Sequence, residues 1–425
     1  MILPAWIPLL LALPVLWLGE QLVRRIRLLS RFHIPAPVVG GIIISLLFLL
    51  GNSTGLFAAK FATKVDAPWW TWLVTTGTEW RNRPEKDVYL PFLVAFFTCI
   101  GLNASWSLVK RGSLPLVLLL LVSGALAVIQ NLVGIGLTKI LHVPPLLGIV
   151  CGSLTLTGGP GTALGLASLF EDAGLKDVGV FAIAAATFGL VTSSLVGGPL
   201  GGWLIRKYKL QPTVAKEVHL EGGRTKESGI RADISALAGF GKNFLLHLLL
   251  LLICIKLGAW LSYFLQEAKI KFPIYMGAML LGVFIRNALD LSGRNWIRTE
   301  IVERISSVTL GIFLTTALMN LDLSKLASVA GPMLIILSVQ VMVMILFAWL
   351  VTFMIAGRDY DAAVTATGHV GFGLGITANA VANMKALVER YGPAPRAFLI
   401  VPIVGGFLID FVNTGVIRFF ISQFK

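Results

Sequence analysis

The eleven residues TLTGGPGTALG, Thr155 to Gly165, return in altered form as TATGHVGFGLG, Thr365 to Gly375. Six of the eleven positions are identical, and three of the six are glycines. The similarity extends upstream, because Asn103 and Asn320 are each followed twelve residues later by a proline. The chain therefore contains an internal duplication. A glycine-rich break inside an apolar segment, present once in each half, indicates the binding site of a secondary transporter.

The composition places this chain among membrane proteins. Of its 425 residues, 56% are hydrophobic and 13% are charged, and the mean hydropathy is +0.85, far from an average soluble domain. The net charge of +14 is interpreted as the positive bias of cytoplasmic loops, so we expect no binding to nucleic acid. Cys99, Cys151 and Cys254 lie in apolar segments and are interpreted as small buried residues rather than a disulfide or metal framework.

Apolar runs predict ten membrane spans, each near the ~20 residues that a bilayer requires. The first run has no Lys or Arg before it and is followed by Arg24 and Arg25, the reverse of a signal peptide, so we expect it to be retained. The spans are predicted at residues 2–19, 37–51, 90–109, 114–140, 178–204, 243–266, 273–290, 305–322, 331–356 and 397–420. The glycine motifs lie in additional segments, near 145–170 and 361–386, which we interpret as hairpins or broken helices that dip into the membrane and return.

The two halves are expected to have opposite orientations across the membrane. Five spans and one returning segment per half give an odd number of crossings, which inverts the second half. With both termini outside, 22 of the 35 Lys and Arg residues fall inside, 12 fall outside and Lys256 lies within a span, as the positive-inside rule requires. The predicted fold is an all-α polytopic membrane protein of two inverted repeats, residues 1–205 and 243–425, joined by a cytoplasmic linker at 206–242.

The glycine motifs are predicted to bind the substrate. Unwound backbone is tolerated in the hydrocarbon region only where it is buried in protein or lines a wet cavity. We expect such unwinding at Gly158 and Gly159 and from Gly368 to Gly375, where free N–H groups at a helix start suit a carboxylate. The alternative is that these glycines only allow close helix packing. The predicted substrate ligands are Asn103, Thr155, Thr157, Gly158, Gly159, Gly161, Thr162, Asn320, Thr367, Gly368, His369, Gly371 and Gly373.

Two of these predictions have direct structural alternatives. Asn103 and Asn320, in the middle of their spans, could instead join helices by hydrogen bonds. His369, which replaces Gly159 in the second motif, could donate to a carboxylate or serve only in packing. Enzymatic interpretations of the motifs fail, because TGGPGT lacks the Gly-Lys-Ser/Thr ending of a phosphate loop and GFGLG is not placed between a strand and a helix. We expect no enzyme activity and no organic cofactor.

Longer stretches of the sequence resemble the bacterial sodium:glutamate symporter family. The resemblance is carried by IPAPVVGG (Ile34 to Gly41), FTCIGLN (Phe97 to Asn103), SLTLTGGPGT (Ser153 to Thr162), ATFGLV (Ala186 to Val191), YDAAVTATGHVGFGLG (Tyr360 to Gly375), AVANM (Ala380 to Met384) and Glu389 to Ile417. It implies an inner-membrane carrier that couples L-glutamate to Na+, with opposed hairpins in two inverted repeats and a homodimeric assembly within the lipid bilayer. The chain departs from the family at Pro160, where the first motif more often has His.

Polar residues inside the later spans are the candidate ligands for Na+. Asp410 in FLIDFVNTG costs ~2.5–3.5 kcal/mol at a helix centre by insertion scales, so we expect it to have a function. Asn413 lies one turn further along the same face. Asn379 and Asn383 likewise present two amide oxygens to one side, and Na+ prefers oxygen ligands. A weak alignment of the last spans through Gly189 and Gly405 places Ser194 opposite Asp410.

Several interpretations remain open on the sequence alone. The carrier could transport another acidic solute or amino acid with Na+ or H+, and a passive channel is the alternative outside carriers. Lys256 sits centrally in its span, and its sequence neighbours offer no partner. The segment 52–89 contains Trp69, Trp70, Trp72 and Trp80, which we interpret as an interfacial anchor rather than a substrate-capturing stack.

Overall fold

The computed structural model describes residues 2–31, 34–54, 60–77, 85–212, 230–267, 274–293, 296–326 and 329–424. Within these ranges the regular secondary structure is helical except for four two-residue strands. The elements of the first half are β1 (Ile2–Leu3), α1 (Trp6–Arg25), α2 (Arg27–Arg31), α3 (Ala36–Ser53), β2 (Lys60–Phe61), β3 (Lys64–Val65), α4 (Pro68–Thr71), β4 (Lys86–Asp87), α5 (Leu90–Asn103), α6 (Trp106–Leu141), α7 (Pro145–Ile149), α8 (Gly159–Asp172) and α9 (Val178–Lys207).

The remaining helices continue this series after the expected linker begins. They are α10 (Ile230–Gly239), α11 (Lys242–Glu267), α12 (Ile274–Leu291), α13 (Thr299–Met319), α14 (Ala330–Phe347), α15 (Phe353–Ile355), α16 (Tyr360–Gly373), α17 (Thr377–Tyr391), α18 (Pro395–Ile403) and α19 (Ile409–Ser422). Wider π-helical turns occupy Val150–Leu154, Ala348–Thr352 and Val404–Leu408. Such turns commonly mark functional sites within helices.

Eight helical stretches in the described part of the chain are long and apolar enough to cross a bilayer. They are Trp6–Arg25, Ala36–Ser53, Leu114–Leu141, Val178–Lys207, Lys242–Leu265, Thr299–Met319, Ala330–Ile355 and Pro395–Ser422. The protein is therefore a multi-pass membrane protein, and eight of the ten predicted spans are confirmed. The predicted span at 273–290 corresponds to α12, which follows residues 268–273 that the structure does not describe.

The predicted span at 90–109 is wrong in its extent. Helix α5 ends at Asn103 after 14 residues, about 21 Å of helix against a hydrocarbon core of ~30 Å. Helix α6 then begins at Trp106 and runs 36 residues, so the loop expected near residue 111 is helical. The bend is held from α12, where Asn287 accepts from the Trp106 amide at 2.6 Å and donates to the Ala104 carbonyl at 2.9 Å. One side chain of another helix thus satisfies two backbone groups that the bend leaves open.

The chain forms two compact units, each made of three separate stretches. The first unit comprises Met1–Ile26, Pro35–Ser107 and Thr225–Leu323. Within it α5 packs against α12 and α13, and α1 packs against α3. A stacked ring pair, Phe97 and Tyr275 with centroids 3.9 Å apart, joins α5 to α12.

The tryptophan-rich segment also belongs to the first unit. The Trp6 ring stacks on Trp69 at 5.3 Å and meets Trp70 edge-on at 5.5 Å, while Trp80 lies outside the described residues. Lys256 of α11 has partners here that its sequence neighbours do not provide. Its Nζ donates to the carbonyls of Trp72 at 2.6 Å and Thr75 at 3.0 Å and lies 4.4 Å from the centre of the Trp72 ring.

The expected linker at 206–242 contains ordered helix in its described part. Residues 213–229 lie outside the description, but α10 follows them and packs on α13. The α10 residue Asp233 is buried and pairs with Arg304 at 2.9 Å. At the start of α10, the Ile230 amide donates to the Glu20 carboxylate of α1. The described second part of the linker therefore packs as part of the first unit.

The second unit comprises Arg27–Ile34, Leu108–Arg224 and Ser324–Lys425, and it contains both glycine motifs. Helix α9 packs against α8, α16 and α17 and so contacts both motif segments. Helix α6 approaches the first motif segment through two glycines, Gly134 of α6 and Gly148 of α7. A β-carbon on either one would overlap the backbone of the other, so only glycine allows this approach.

Candidate functional site

The first glycine motif lies in a broken helix. After α7, a π-helical turn leads to Gly152, whose backbone is non-helical with φ −105° and ψ −133°. Residues 155–158 form a turn, and α8 begins at Gly159 with a positive φ of +67°. Pro160 follows in the first turn of α8, where proline has no hydrogen bond to lose and is preorganised for a helix start. The predicted break at Gly158 and Gly159 is confirmed.

The second motif breaks at a different point from the one predicted. Helix α16 runs without interruption through Gly368, Gly371 and Gly373, and the break covers only residues 374–376. The prediction of unwinding from Gly368 onward is therefore wrong. One physical reason is that Val370 stands where the first motif has Pro160, so nothing in the second copy forces a helix to start there.

The two breaks meet inside the second unit. A β-carbon built on Gly159 would lie 3.0 Å from the Ile376 side chain and 3.5 Å from the Gly375 carbonyl oxygen. On α9, Gly189 faces the Leu374 carbonyl and the Leu156 side chain, one from each break. Helices α8 and α17 both begin here, at Gly159 and Thr377. Two helix N-termini, each carrying partial positive charge, therefore start at neighbouring positions.

Gln130 of α6 joins the two motifs and is not among the residues predicted from the sequence. Its Oε1 accepts from Thr157 of the first motif at 2.7 Å, and its Nε2 donates to the Gly373 carbonyl of the second at 2.9 Å. The Gln130 carbonyl accepts from Gln340 of α14 at 2.6 Å. One signal was available, because Gln130 and Gln340 are separated by 210 positions (340 − 130), as are Thr155 and Thr365 (365 − 155).

Asp410 and Asn413 contact the first motif segment. Oδ1 of Asp410 accepts from the Thr162 hydroxyl at 3.3 Å. The Asn413 side chain is fully buried, and its Nδ2 donates to the Ser153 carbonyl at 2.9 Å, beside the irregular Gly152. The Oδ1 of Asn413 and the hydroxyl of Ser153 are buried with no protein hydrogen-bond partner in the described structure. These unpaired oxygens are available to a ligand.

Asn379 and Asn383 face α9. The Asn379 amide donates to the hydroxyls of Ser194 at 2.8 Å and Ser193 at 3.1 Å, and Asn383 donates to the Ser193 carbonyl at 2.9 Å. Oδ1 of Asn379 is buried without a protein partner among the described residues. By their hydrogen bonds, the four predicted cation ligands divide into two groups, Asp410 with Asn413 and Asn379 with Asn383.

Other predicted residues use their side chains locally. The hydroxyls of Thr155 and Thr367 donate within their own segments, to the carbonyls of Val150 at 2.7 Å and Ala363 at 3.0 Å. His369 is fully buried, with Nδ1 2.8 Å from the Thr352 hydroxyl and its ring against Phe372. Its Nε2 has no protein partner within the described ranges.

Asn103 and Asn320 belong to the first unit, while the glycine motifs belong to the second. The expectation that they lie mid-span is wrong. Asn103 is the last residue of α5, and Asn320 caps the end of α13. Both amide oxygens are buried without a protein partner in the described part of the chain, which leaves them free for a ligand.

The described residues contain no group of three His, Cys, Asp or Glu side chains that could hold a metal ion. The oxygens near Asp410 belong to one carboxylate and to hydroxyl, amide and backbone groups. That ligand set suits a hard monovalent cation better than a divalent transition metal.

Comparison with known proteins gives consistent matches along the chain. A family model described as sodium/glutamate symporter matches residues 1–393. The sodium/glutamate symporter of Escherichia coli is 36% identical over 408 residues, covering 96% of this chain and 94% of that protein. That of Haemophilus influenzae is 35% identical over 410 residues, covering 96% and 95%. A sodium proton antiporter of Methanocaldococcus jannaschii aligns over 98% of each chain with 12% identity and a TM-score of 0.40, too low to establish a shared fold.

Proposed function

This chain belongs to the sodium/glutamate symporter family, a family of transporters and not of enzymes, and on that premise we propose that it imports L-glutamate coupled to Na+. The supporting observation is the meeting of the two motif breaks, where α8 and α17 begin side by side. Glutamate carries two carboxylates and one ammonium group. Two adjacent helix N-termini offer each carboxylate a set of backbone N–H donors in a region of positive potential.

Na+ is proposed to bind beside this site. Asp410 supplies the negative charge, and Asn413, Thr162 and the Ser153 carbonyl supply neutral oxygens near it. Asn379 and Asn383, with the serines of α9, form the second polar group. A bound Na+ would neutralise Asp410 and, through the segment that carries Thr162, favour the arrangement of α8 that receives the substrate. Substrate and ion binding would thus be coupled through one short helix.

The proposal also covers the arrangement of the chain across the membrane. The motif segments are re-entrant hairpins of two inverted repeats, residues 1–205 and 243–425, with both termini outside the bacterial inner membrane. Asn103 and Asn320 remain predicted substrate ligands, and the assembly is a homodimer in the lipid bilayer. Single cysteines at Ala163 and Phe372, in a background lacking the three natural cysteines, test the opposed orientation. Equal labelling of both by an outside impermeant reagent in every transport state would contradict it.

The proposed function is tested by uptake of labelled glutamate into proteoliposomes with and without an inward Na+ gradient. We expect accumulation only with the gradient, and competition by excess unlabelled glutamate. Stimulation by a proton gradient instead would indicate an H+-coupled carrier, and preferential competition by another acidic solute would change the substrate. Equilibration without accumulation would indicate a channel.

A further inference from the structure

Gln130 is a buried amide whose side-chain oxygen and nitrogen each bond to one of the two glycine motifs. It is 0% exposed and lies in α6, outside both motif segments. Its acceptor oxygen receives the Thr157 hydroxyl from the turn of the first segment, and its amide donates to the Gly373 carbonyl at the end of α16. Both links have ordinary hydrogen-bond lengths. The Gln130 side chain therefore bonds to the Thr157 side chain in the first break and to the Gly373 carbonyl directly before the second.

The two links satisfy groups that would otherwise be buried without partners. Gly373 is the last residue of α16, so its carbonyl lies among those with no partner inside the helix. Thr157 is 5% exposed and lies in the turn of the first motif. Leaving a buried polar group unpaired costs free energy. Loss of the Gln130 side chain would therefore destabilise the observed arrangement of both breaks.

Gln340 is the counterpart of Gln130, because the two are separated by the same spacing as the motifs. It contacts Gln130 but makes different hydrogen bonds. Its Nε2 donates to the Gln130 carbonyl, and its Oε1 is buried with no protein partner among the described residues. The duplicated glutamines are thus used asymmetrically. Gln130 joins the motifs, and Gln340 donates a hydrogen bond that holds Gln130 in place.

We propose that Gln130 is a positioning residue that fixes the two motif breaks against each other and so sets the affinity of the substrate site. This inference rests on the proposed function and deepens it. Gln130 acts through Thr157 and Gly373 and need not touch the substrate. If the breaks are held at their mutual distance by Gln130, its loss weakens substrate binding more than it slows the turnover of substrate that has bound.

The test compares three variants of the full-length protein in proteoliposomes. Gln130→Met keeps the length of the side chain and removes both links, whereas Thr157→Val removes only the link to the first motif. The matched control is Thr138→Val, because the Thr138 hydroxyl is buried in the same helix and donates only within it, to Ile135 at 2.7 Å. Each variant is measured for the glutamate KM, the maximal rate and amide hydrogen exchange in the substrate-free state.

For Gln130→Met we expect a KM about tenfold higher, equivalent to ~1.4 kcal/mol, with a smaller change in maximal rate. Amide exchange should rise in the peptides covering 155–158 and 374–376. In Thr157→Val it should rise in the first peptide only, and Thr138→Val should behave as the parent. Parental KM and parental exchange in Gln130→Met would overturn the proposal.

Two features keep this test independent of stability and of the proposed function. If Gln130→Met fails to assemble, Thr157→Val alone decides, because parental exchange at 155–158 in that variant would also refute the role of the link. If the parent protein shows no glutamate uptake, the proposed function fails. The exchange measurement still reports whether Gln130 holds the two breaks, since it needs no transported substrate.

Discussion

The hydroxyl of Thr162 donates to Oδ1 of Asp410 across 3.3 Å, although 248 residues separate them in sequence. Thr162 lies in the first turn of α8, and Asp410 lies within the candidate span Pro395–Ser422. A carboxylate at a helix centre in the membrane costs ~2.5–3.5 kcal/mol by insertion scales. A long hydrogen bond from a neutral hydroxyl cannot offset that cost alone. The contact therefore ties the first motif to a charge that a transported cation would stabilise.

Asp410→Asn is expected to raise the Na+ concentration for half-maximal uptake at least about tenfold, the effect of ~1.4 kcal/mol in cation binding. Asparagine keeps an oxygen beside Thr162 and removes only the charge. The measurement is initial glutamate uptake against Na+ concentration, in a variant whose assembly is verified by size-exclusion chromatography. Thr192→Val is the control, because its hydroxyl donates only within α9. An unchanged Na+ midpoint in Asp410→Asn would remove Asp410 from the cation site.

Gly189→Ala is expected to destabilise the second unit, whereas Gly198→Ala in the same helix is not. A β-carbon at Gly189 would overlap the Leu374 carbonyl, but one at Gly198 meets no atom within 4 Å. Overpacking of this kind costs ~1–3 kcal/mol, while alanine at an open helical position gains up to about 1 kcal/mol over glycine. Thermal unfolding in detergent should show a lower midpoint for the first variant only. Equal midpoints would mean that α9 does not press against the second break.

Lys256→Met is expected to lower the free energy of unfolding by ~1.5–3 kcal/mol, the usual contribution of hydrogen bonds to a charged group. Methionine preserves the apolar stem but cannot donate to the Trp72 and Thr75 carbonyls. Denaturant unfolding followed by tryptophan fluorescence measures the change. Lys242→Met, at the exposed start of the same helix, should stay within about 0.5 kcal/mol of the parent. A similar loss in both variants would assign the effect to general charge removal.

Uptake is expected to be electrogenic and sigmoidal in Na+. Drawing one negative glutamate into a cell costs ~2.3 kcal/mol per 100 mV, and each entering Na+ returns the same amount. A single Na+ would only cancel the potential, whereas two would add it to the driving force. Asp410 with Asn413 and Asn379 with Asn383 form two polar groups that could each hold one ion.

The voltage test uses liposomes clamped with K+ and valinomycin at a fixed Na+ gradient. An inside-negative potential should increase both the initial rate and the accumulation ratio. If neither responds to the potential, an electroneutral exchange of one Na+ per glutamate replaces the two-ion scheme.

Sequence reasoning located the elements of the site better than its contacts. Apolar run length correctly predicted eight of its ten spans, and the repeated glycines predicted the first break, because hydropathy and glycine content are local properties of the sequence. The end of α16 at Gly373 was not predictable in this way, since identical glycines lie within a helix in one copy and at a helix start in the other. The contacts of Gln130 and Lys256 were also not predictable, although the spacing of Gln130 to Gln340 distinguishes Gln130 in the sequence. Their partners, Thr157 and Gly373 in one case and Trp72 in the other, are set by tertiary packing.

The contact between Gly134 and Gly148 also limits how this protein can evolve. A larger residue in a core can often be accommodated by a smaller one opposite it. Here each position already has the smallest residue, and each would collide with the backbone of the other on gaining a single carbon. A smaller residue at one position therefore cannot make room for a larger one at the other. The contact between α6 and the first motif segment can therefore change only if the helices themselves move apart.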